Sequence, residues 1–397
     1  MTIDLKIAID RLVGFILIFI LNIVARVTGI AMRRDHSLQV RGDILIIKML
    51  GGGSLVMAMP ALLGLRRTFP QSKLRLFTTA AVAPFAASLN VFDEIVTLDD
   101  SSVVKLVRSG FAALRKCFGC DVAIDLEVYS YLTTVFSLFT FARNRLGFFF
   151  DEGGFQQRLH THRVFFNPAT PLYAHYDRMA DLLGAKIALM ADCAAHLRSS
   201  LDLKKVSATK RIAVGCGCSE LSYHVRRLSV DQWVQNVFGA QADKDSEVIF
   251  LGSRDDHAEA ERIIAALRAG GDELWRGHLV NKCGALTLAG SLWELASCNE
   301  YWGVDSALLH YARLFGLRVQ GFFGPADPAT RLRPIAGLEE AIHYRRTLCS
   351  PCVHQISVPP CHGNNLCMQW LFDAPDSPRA GWIPTVVDTK FTETDRL

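Results

Sequence analysis

Short apolar runs alternate with longer amphipathic ones along this chain, and that alternation restricts the fold more than any other feature. Asp43–Met49 (DILIIKM) is a buried-strand run. Leu50-Gly51-Gly52-Gly53-Ser54 follows as a glycine-rich turn, and Leu55–Phe69 has helical periodicity. Strand, glycine turn and helix open an α/β unit of the nucleotide-binding type. Further strands are predicted over Leu74–Phe77, Ile95–Leu98, Val122–Leu126 and Arg145–Phe149, interleaved with helices over Pro84–Leu89, Ser102–Phe118 and Tyr131–Phe141. A helix over Asp177–Leu183 and a polar, basic stretch at Ser199–Lys210 then separate this set from a second one. There, strands at Ile212–Gly215, Val248–Leu251 and Val319–Phe323 accompany helices at Val230–Phe238, Ala258–Ala269 and Leu288–Cys298. Strands that alternate with helices throughout predict parallel sheets covered on both faces.

At 397 residues the chain is too long for one ordinary core. The expectation is an α/β fold of GT-B architecture, two Rossmann-like domains facing a cleft, preceded by an N-terminal hydrophobic helix. Residues 1–40 form the hydrophobic segment, 41–190 an N-terminal Rossmann-like domain, and 210–397 a C-terminal one with a cysteine-bearing tail. Leu12–Ala25 (LVGFILIFILNIVA) is nearly uncharged, and with its continuation to Met32 it has about the 20 residues that a spanning helix needs. Arg26 interrupts it, at a cost of roughly 2.5–3.5 kcal/mol in mid-bilayer unless the side chain snorkels to the interface. Arg33, Arg34 and Arg41 flank its C-terminal side and predict a body that faces the cytoplasm. Both a membrane helix, spanning or lying on the surface, and a helix buried in the body remain open. The net charge of +4 lacks the dense basic stripe of a nucleic-acid binder.

The stretch Trp302–Pro328 (WGVDSALLHYARLFGLRVQGFFGPADP) reads as loop, helix, strand and turn. Asp305 and Ser306 are good N-cap residues for that helix, and His310 lies about one turn in. A helix N-terminus at the end of a strand suits a diphosphate, because free N–H groups and the helix dipole both favour an anion. These residues point to a nucleotide-linked ligand.

Five blocks, in order, resemble glycosyltransferase family 9, the bacterial heptosyltransferases of lipopolysaccharide synthesis. They are Ile44–Pro70, Cys120–Phe148, Ile212–Ser229 (IAVGCGCSELSYHVRRLS), the block from Val304 to Pro328, and the cysteine tail. The resemblance implies an inverting transferase that moves a sugar, typically heptose from ADP-heptose, onto a hydroxyl of a lipid-linked saccharide. Its expected partners are therefore the nucleotide sugar, the lipid-linked acceptor and the cytoplasmic face of the bacterial inner membrane, with no nucleic acid. Transfer would require no cofactor. In the family the C-terminal half binds the donor and the N-terminal half faces the acceptor.

Carried over residue by residue, Asp305, Ser306 and His310 match the donor motif, with Ala307 where the family has glycine. Arg226 stands in place of the family's lysine and Arg227 in place of its arginine, so that a bidentate cation would meet the leaving diphosphate. Cys216 replaces a proline, while Gly217 is retained. Gly52 and Gly53 would let the first turn approach the acceptor, and Arg143 and Arg145 match basic positions suited to acceptor phosphates; as surface charges they would need no explanation. Ser54 is the largest departure, because it occupies the place of the family's aspartate, the usual candidate base. A serine needs help to act as a base near neutral pH. Three readings stand open: Glu127 substitutes for it, the chemistry rests on leaving-group stabilisation, or catalysis is lost with binding kept; the ordinary reading of Glu127 is a solvent-facing strand-end residue.

Cys349, Cys352, Cys361 and Cys367 read C-x2-C-x8-C-x5-C, a pattern that suits a structural zinc or iron, with His354 and His362 as alternative ligands. Free thiols and disulfides are the competing readings. An odd total of 11 cysteines, several of them in expected core elements, fits a reducing compartment better than a disulfide framework. Beside the transferase stands a second reading, a catalytically impaired nucleotide-sugar-binding or scaffold protein of an envelope polysaccharide system. A nucleotide-sugar 2-epimerase on the same frame is a third, which the five blocks argue against.

Overall fold

The computed structural model describes residues 3–32, 34–149, 159–202, 210–218, 226–241, 244–271, 275–353, 359, 361 and 364–373. Arg33, His354, His362 and the side chain of Arg26 lie outside the described residues. The chain divides into two compact units, Met1–Cys193 and Ala194–Leu397. The division falls inside a helix, Met190–Ser200.

Unit 1 opens with helix α1 (Ile3–Met32) and continues as β1 (Ile44–Ile47), α2 (Gly52–Met57), α3 (Met59–Thr68), β2 (Leu74–Thr79), α4 (Ala83–Leu89) and β3 (Glu94–Leu98). Then follow α5 (Val103–Cys117), β4 (Val122–Asp125), α6 (Tyr131–Phe139), β5 (Asn144–Phe149), β6 (His162–Phe165) and α7 (Leu172–Asp181). Its six strands lie in the order β3-β2-β1-β4-β5-β6 and are parallel throughout. All four residues of β1, ILII, are buried, as a central strand covered on both faces requires. One core cluster joins Leu45, Ile47, Phe77 and Val96 of the sheet to Ala113 and Cys117 of α5, with Phe136 of α6 packed against it. Helices α5 and α6 therefore cover the same face, as right-handed crossovers from β3 to β4 and from β4 to β5 demand.

The single helix expected over Leu55–Phe69 is two. Pro60 has no N–H to donate, and the helix restarts at Met59 with Pro60 in its first turn. Helix α2 begins at Gly52, so Gly52, Gly53 and Ser54 belong to its first turn. Gly51 holds the turn before it at φ 82°, a left-handed conformation suited to glycine. Strand β6 was not anticipated: its sequence HRVF, half-exposed at the sheet edge, carries too little apolar signal.

Unit 2 contains β7 (Arg211–Gly215), a π-helical segment Gln232–Phe238, β8 (Glu247–Phe250), α8 (His257–Ala269), β9 (Leu279–Asn281), α9 (Leu288–Ala296), β10 (Glu300–Val304), α10 (Ala307–Leu314), β11 (Arg318–Phe323), β12 (Glu340–Tyr344) and the short helix Leu366–Gln369. Its parallel order, β12-β11-β10-β7-β8-β9, repeats that of unit 1. Trp233, Phe238, Phe250, Trp275 and Trp302 fill its core. Both predicted Rossmann-like sheets are thus present.

Candidate functional site

In each sheet the strand order reverses direction beside the first strand of the unit. Ligands of open α/β sheets bind at such a point, outside the carboxyl ends of the strands. In unit 2 that point lies between β7 and β10. Cys216-Gly217 leaves β7 there, and Asp305-Ser306 leaves β10 to enter α10. Arg226 comes from a segment far away in sequence and donates through Nη1 to the Asp305 carbonyl (2.8 Å) and to its Oδ2 (3.1 Å). Burial would raise the Asp305 carboxyl, but Arg226 first, then His310 and Arg331, more than offset it and hold it below its ordinary value of 3.8. Burial likewise works against the charge on Arg226, yet Asp305 keeps that guanidinium above its ordinary value. Asp305 therefore anchors a cation, and the expected cap does not form. Ser306 stands at the N-cap position in extended backbone and makes no side-chain cap bond to α10.

A second carboxylate holds the neighbouring arginine. Arg227 Nη2 donates to Asp256 Oδ1 (2.9 Å), while Asp256 Oδ2 accepts from the backbone N–H and the hydroxyl of Ser253. Gly217 makes room for this carboxylate, since a Cβ there would stand 1.8 Å from Asp256 Oδ1. Below α10, the Tyr301 hydroxyl lies over the paired Gly215 and Gly303, where added Cβ atoms would come within 2.2 and 2.3 Å of it, and stands 3.4 Å from Ser306 Oγ. His310 is almost fully enclosed, and burial pushes its imidazole down to about 4, against the pull of Asp305. It is neutral at pH 7 and offers a hydrogen-bond donor without a charge.

Unit 1 has its own switch point, between β1 and β4. Glu127 reaches across it: its Oε1 accepts from Lys48 Nζ (2.8 Å), Met49 N (2.7 Å) and Leu50 N (3.0 Å). This carboxylate fixes the entry to the glycine turn that precedes Ser54. Burial opposes the charge on Lys48, but Glu127, with Tyr176 and Asp125, holds the ammonium above its ordinary value. Asp125 is wholly enclosed and burial raises its carboxyl, although His160 Nε2 stands 3.6 Å from its Oδ2. The close packing of Gly52 has a local cause, because a Cβ there would overlap the Phe85 ring. Sequence reasoning missed Lys48, His160, Asp256 and Tyr301. Of these only Asp256 left a local trace, the Ser253-x-x-Asp256 capping spacing.

Arg143 and Arg145 are occupied by the protein itself. Arg143 forks onto Asp121 (2.7 and 3.2 Å) and donates to the carbonyls of Asp35, Ser37 and Gln39, clasping the segment that links α1 to β1. Arg145 donates to the carbonyls of Leu159 and Ala142, and burial lowers its guanidinium to about 10. The cysteine tail packs under the turn after β11: Cys352 N donates to the Pro325 carbonyl, and a Cβ at Gly324 would stand 2.9 Å from Cys367 Sγ. Burial, then the neighbouring thiols, pushes Cys352 up to about 11 and Cys367 up to about 12. Yet among the described residues no group of three or more His, Cys, Asp or Glu side chains is arranged to hold a metal ion. As placed, Cys349, Cys352, Cys361 and Cys367 give the expected zinc or iron site no support. What the tail does hold is Arg227, whose carbonyl accepts from Asn365 Nδ2 (2.8 Å).

The segment that carries Arg226, Arg227, Asp256, Asp305 and His310 is matched by the sequence model of glycosyltransferase family 9 (heptosyltransferase) over residues 189–362. This segment is similar to glycosyltransferase family 9 over 174 of the 397 residues. No curated protein matches the sequence significantly. Among solved structures, a family 9 glycosyl transferase from Veillonella parvula is similar at a TM-score of 0.59 and 15% identity, over 77% of this chain and 86% of that one. The ADP-heptose lps heptosyltransferase II of E. coli is similar at 0.55 and 18% identity, over 75% and 92%. E. coli heptosyltransferase WaaC with ADP gives 0.57 and 15%, over 76% and 92%. These likenesses extend the two-sheet fold beyond residues 189–362 into unit 1.

Proposed function

We propose that this protein is an inverting glycosyltransferase that moves a sugar, heptose from ADP-heptose, onto a hydroxyl of a lipid-linked saccharide in bacterial envelope glycan synthesis. The observation that carries this reading is the Arg226–Asp305 pair at the head of α10, at the switch point of the segment similar to family 9. The diphosphate would meet the N–H groups of the first turn of α10, the guanidinium groups of Arg226 and Arg227, and neutral His310. As the bond to the anomeric carbon breaks, negative charge grows on the leaving diphosphate. A preorganised cation offsets that charge without reorganisation.

The acceptor proton needs a base. Ser54 has none to offer. Glu127 is the carboxylate bonded to its turn, and all three of its bonds fall on Oε1, so Oε2 is the atom assigned to take the proton. Arg143 and Arg145 are spent on the protein and play no part in this scheme. No step runs through a metal. The alternative, a binding or scaffold protein, draws on two departures: Ser54 stands at the position of the family's aspartate, and Ala307 at that of its glycine.

Purified protein offered ADP-heptose beside a panel of other nucleotide sugars tests both readings. Saturable binding with release of nucleoside diphosphate, sped up by lipid extract, supports transfer. Binding without release selects the scaffold reading, and absence of binding sinks the donor assignment.

A further inference from the structure

Helix α1 is not a free-standing segment. Asp10 caps α6, its two carboxylate oxygens accepting from Ser130 Oγ (2.8 Å), Tyr131 N (2.9 Å) and Leu132 N (2.9 Å). One turn on, Gly14 crosses α6 so closely that a Cβ would lie 2.3 Å from Tyr131 Cβ. Ile18 then packs with Val135 and Leu159, and Leu21 and Ala25 extend the contact alongside Leu138. Helix α1 thus runs parallel to α6 along its length. It is also tied to the start of α5, and the segment just after it reaches toward the end of α5 by way of Phe141. Lys6 Nζ bonds Asp100, just before α5 (2.6 Å), and Arg34 lies over Phe141, whose ring packs 5.4 Å from that of Phe118 at the α5 C-terminus.

The outer side of this layer is apolar. Leu12, Ile16, Ile20, Ile23 and Val27 of α1 are exposed, and so are Val104 and Phe111 of α5, at 78% and 66%. On α5, Val104, Arg108, Phe111 and Arg115 follow at i, i+4, i+7 and i+11, so apolar and basic side chains share one stripe. Lys105 and Lys116 pair with Asp99 (3.8 Å) and Glu94 (3.3 Å), so the charge of the stripe rests on Arg108 and Arg115; α5 itself carries no acidic residue. An apolar helix face edged by arginine suits an anionic lipid surface, where the aliphatic stems bury and the charges meet headgroups. Crossing the bilayer does not suit α1. While docked it would draw α6, and the sheet that α6 covers, toward hydrocarbon; undocked it would strip α6 of its Asp10 cap.

We propose that the α1–α5 face of unit 1 lies flat on an anionic phospholipid bilayer, with α1 in the plane of the interface rather than across it. This stands apart from the transfer reading and holds whether or not unit 2 takes a nucleotide sugar. The test uses the 397-residue chain on vesicles of phosphatidylglycerol and phosphatidylcholine with bromines at graded depths. All six native tryptophans fall between Trp233 and Trp382, so a tryptophan placed in unit 1 reports against a constant background. Ile16→Trp, Ile20→Trp, Ile23→Trp and Phe111→Trp are expected to be quenched at one shared shallow depth. Arg108→Glu with Arg115→Glu should weaken partitioning onto these vesicles about tenfold or more, with a smaller change on neutral ones. Three results would overturn the proposal. One is a depth that changes by about 1.5 Å per residue along α1. Another is a Phe111→Trp signal that bromine does not touch, whether α1 alone inserts or a second copy covers the face. The third is partitioning indifferent to the two charge reversals.

Discussion

Replacing His310 by glutamine should remove a specific part of the acid sensitivity of unit 2. In the folded protein burial holds this imidazole at about 4, whereas an unfolded histidine titrates at 6.5. Between those values the unfolded chain binds a proton that the folded one refuses, so stability is lost as pH falls from 6.5 toward 4. A displacement of that size corresponds to roughly 3 kcal/mol by pH 4. With an ordinary urea dependence for a unit of this size, that is a midpoint shift of about 1–2 M. Asp305 acts in a separate window: its depressed carboxyl contributes stability above 3.8, lost only as pH falls further. Burial also lowers His343, the same direction of effect in the same unit, so the comparison must be a difference between proteins. The assay is urea unfolding followed by tryptophan emission, which reports unit 2 alone because every tryptophan lies there. The wild-type midpoint should fall more steeply than that of His310→Gln between pH 7 and pH 4. The slope carries the prediction, so a loss of packing in the variant does not disturb it. Midpoints that fall in parallel would refute the enclosed, neutral imidazole.

Three other substitutions probe the two switch points. Glu127→Gln should slow sugar transfer by about 100-fold or more if Glu127 is the base, read as nucleoside diphosphate release with acceptor present; unchanged turnover would remove it from the chemistry. Gly217→Ala should cost unit 2 about 1–3 kcal/mol in the tryptophan-monitored urea transition, because its Cβ displaces Asp256 from Arg227 and Ser253. A stability equal to wild type would show that the Asp256 pocket yields freely. Arg226→Lys keeps the charge but loses the fork, and should weaken nucleoside diphosphate affinity about tenfold in titration calorimetry; equal affinity would mean that only net charge matters there.

What was legible in the sequence was what is local. Strand β1, its glycine turn, helix α10 and strand β11 declare themselves by apolar runs and turn residues within a few positions, whereas Trp302–Val304, read as loop, is the end of β10. The glycine turn and the head of α10, which lie at the two switch points, could be placed from those local signals. The roles of the side chains at them could not, because their partners come from elsewhere in the chain. Asp305 reads as a helix cap until Arg226, 79 residues earlier, takes its carboxylate. Glu127 reads as a strand-end residue until Lys48 and the turn after β1 fold onto it. Arg143 reads as a surface cation until the α1–β1 link wraps around it. Hydropathy marks α1 as a membrane segment yet is silent about Asp10, whose partners on α6 lie 120 to 122 residues away.

The tyrosine laid across the paired Gly215 and Gly303 makes the floor beneath α10 a plug rather than a wall. Its shape depends on three positions together: a side chain at either glycine evicts the phenol, and trimming the phenol leaves a slot that opens toward Ser306. An enlarged slot could admit a donor analogue carrying an added alkyl or aromatic group, one that the native floor excludes. Tyr301→Ala is thus a route to a variant that can be addressed by its own private substrate in a mixture of related transferases.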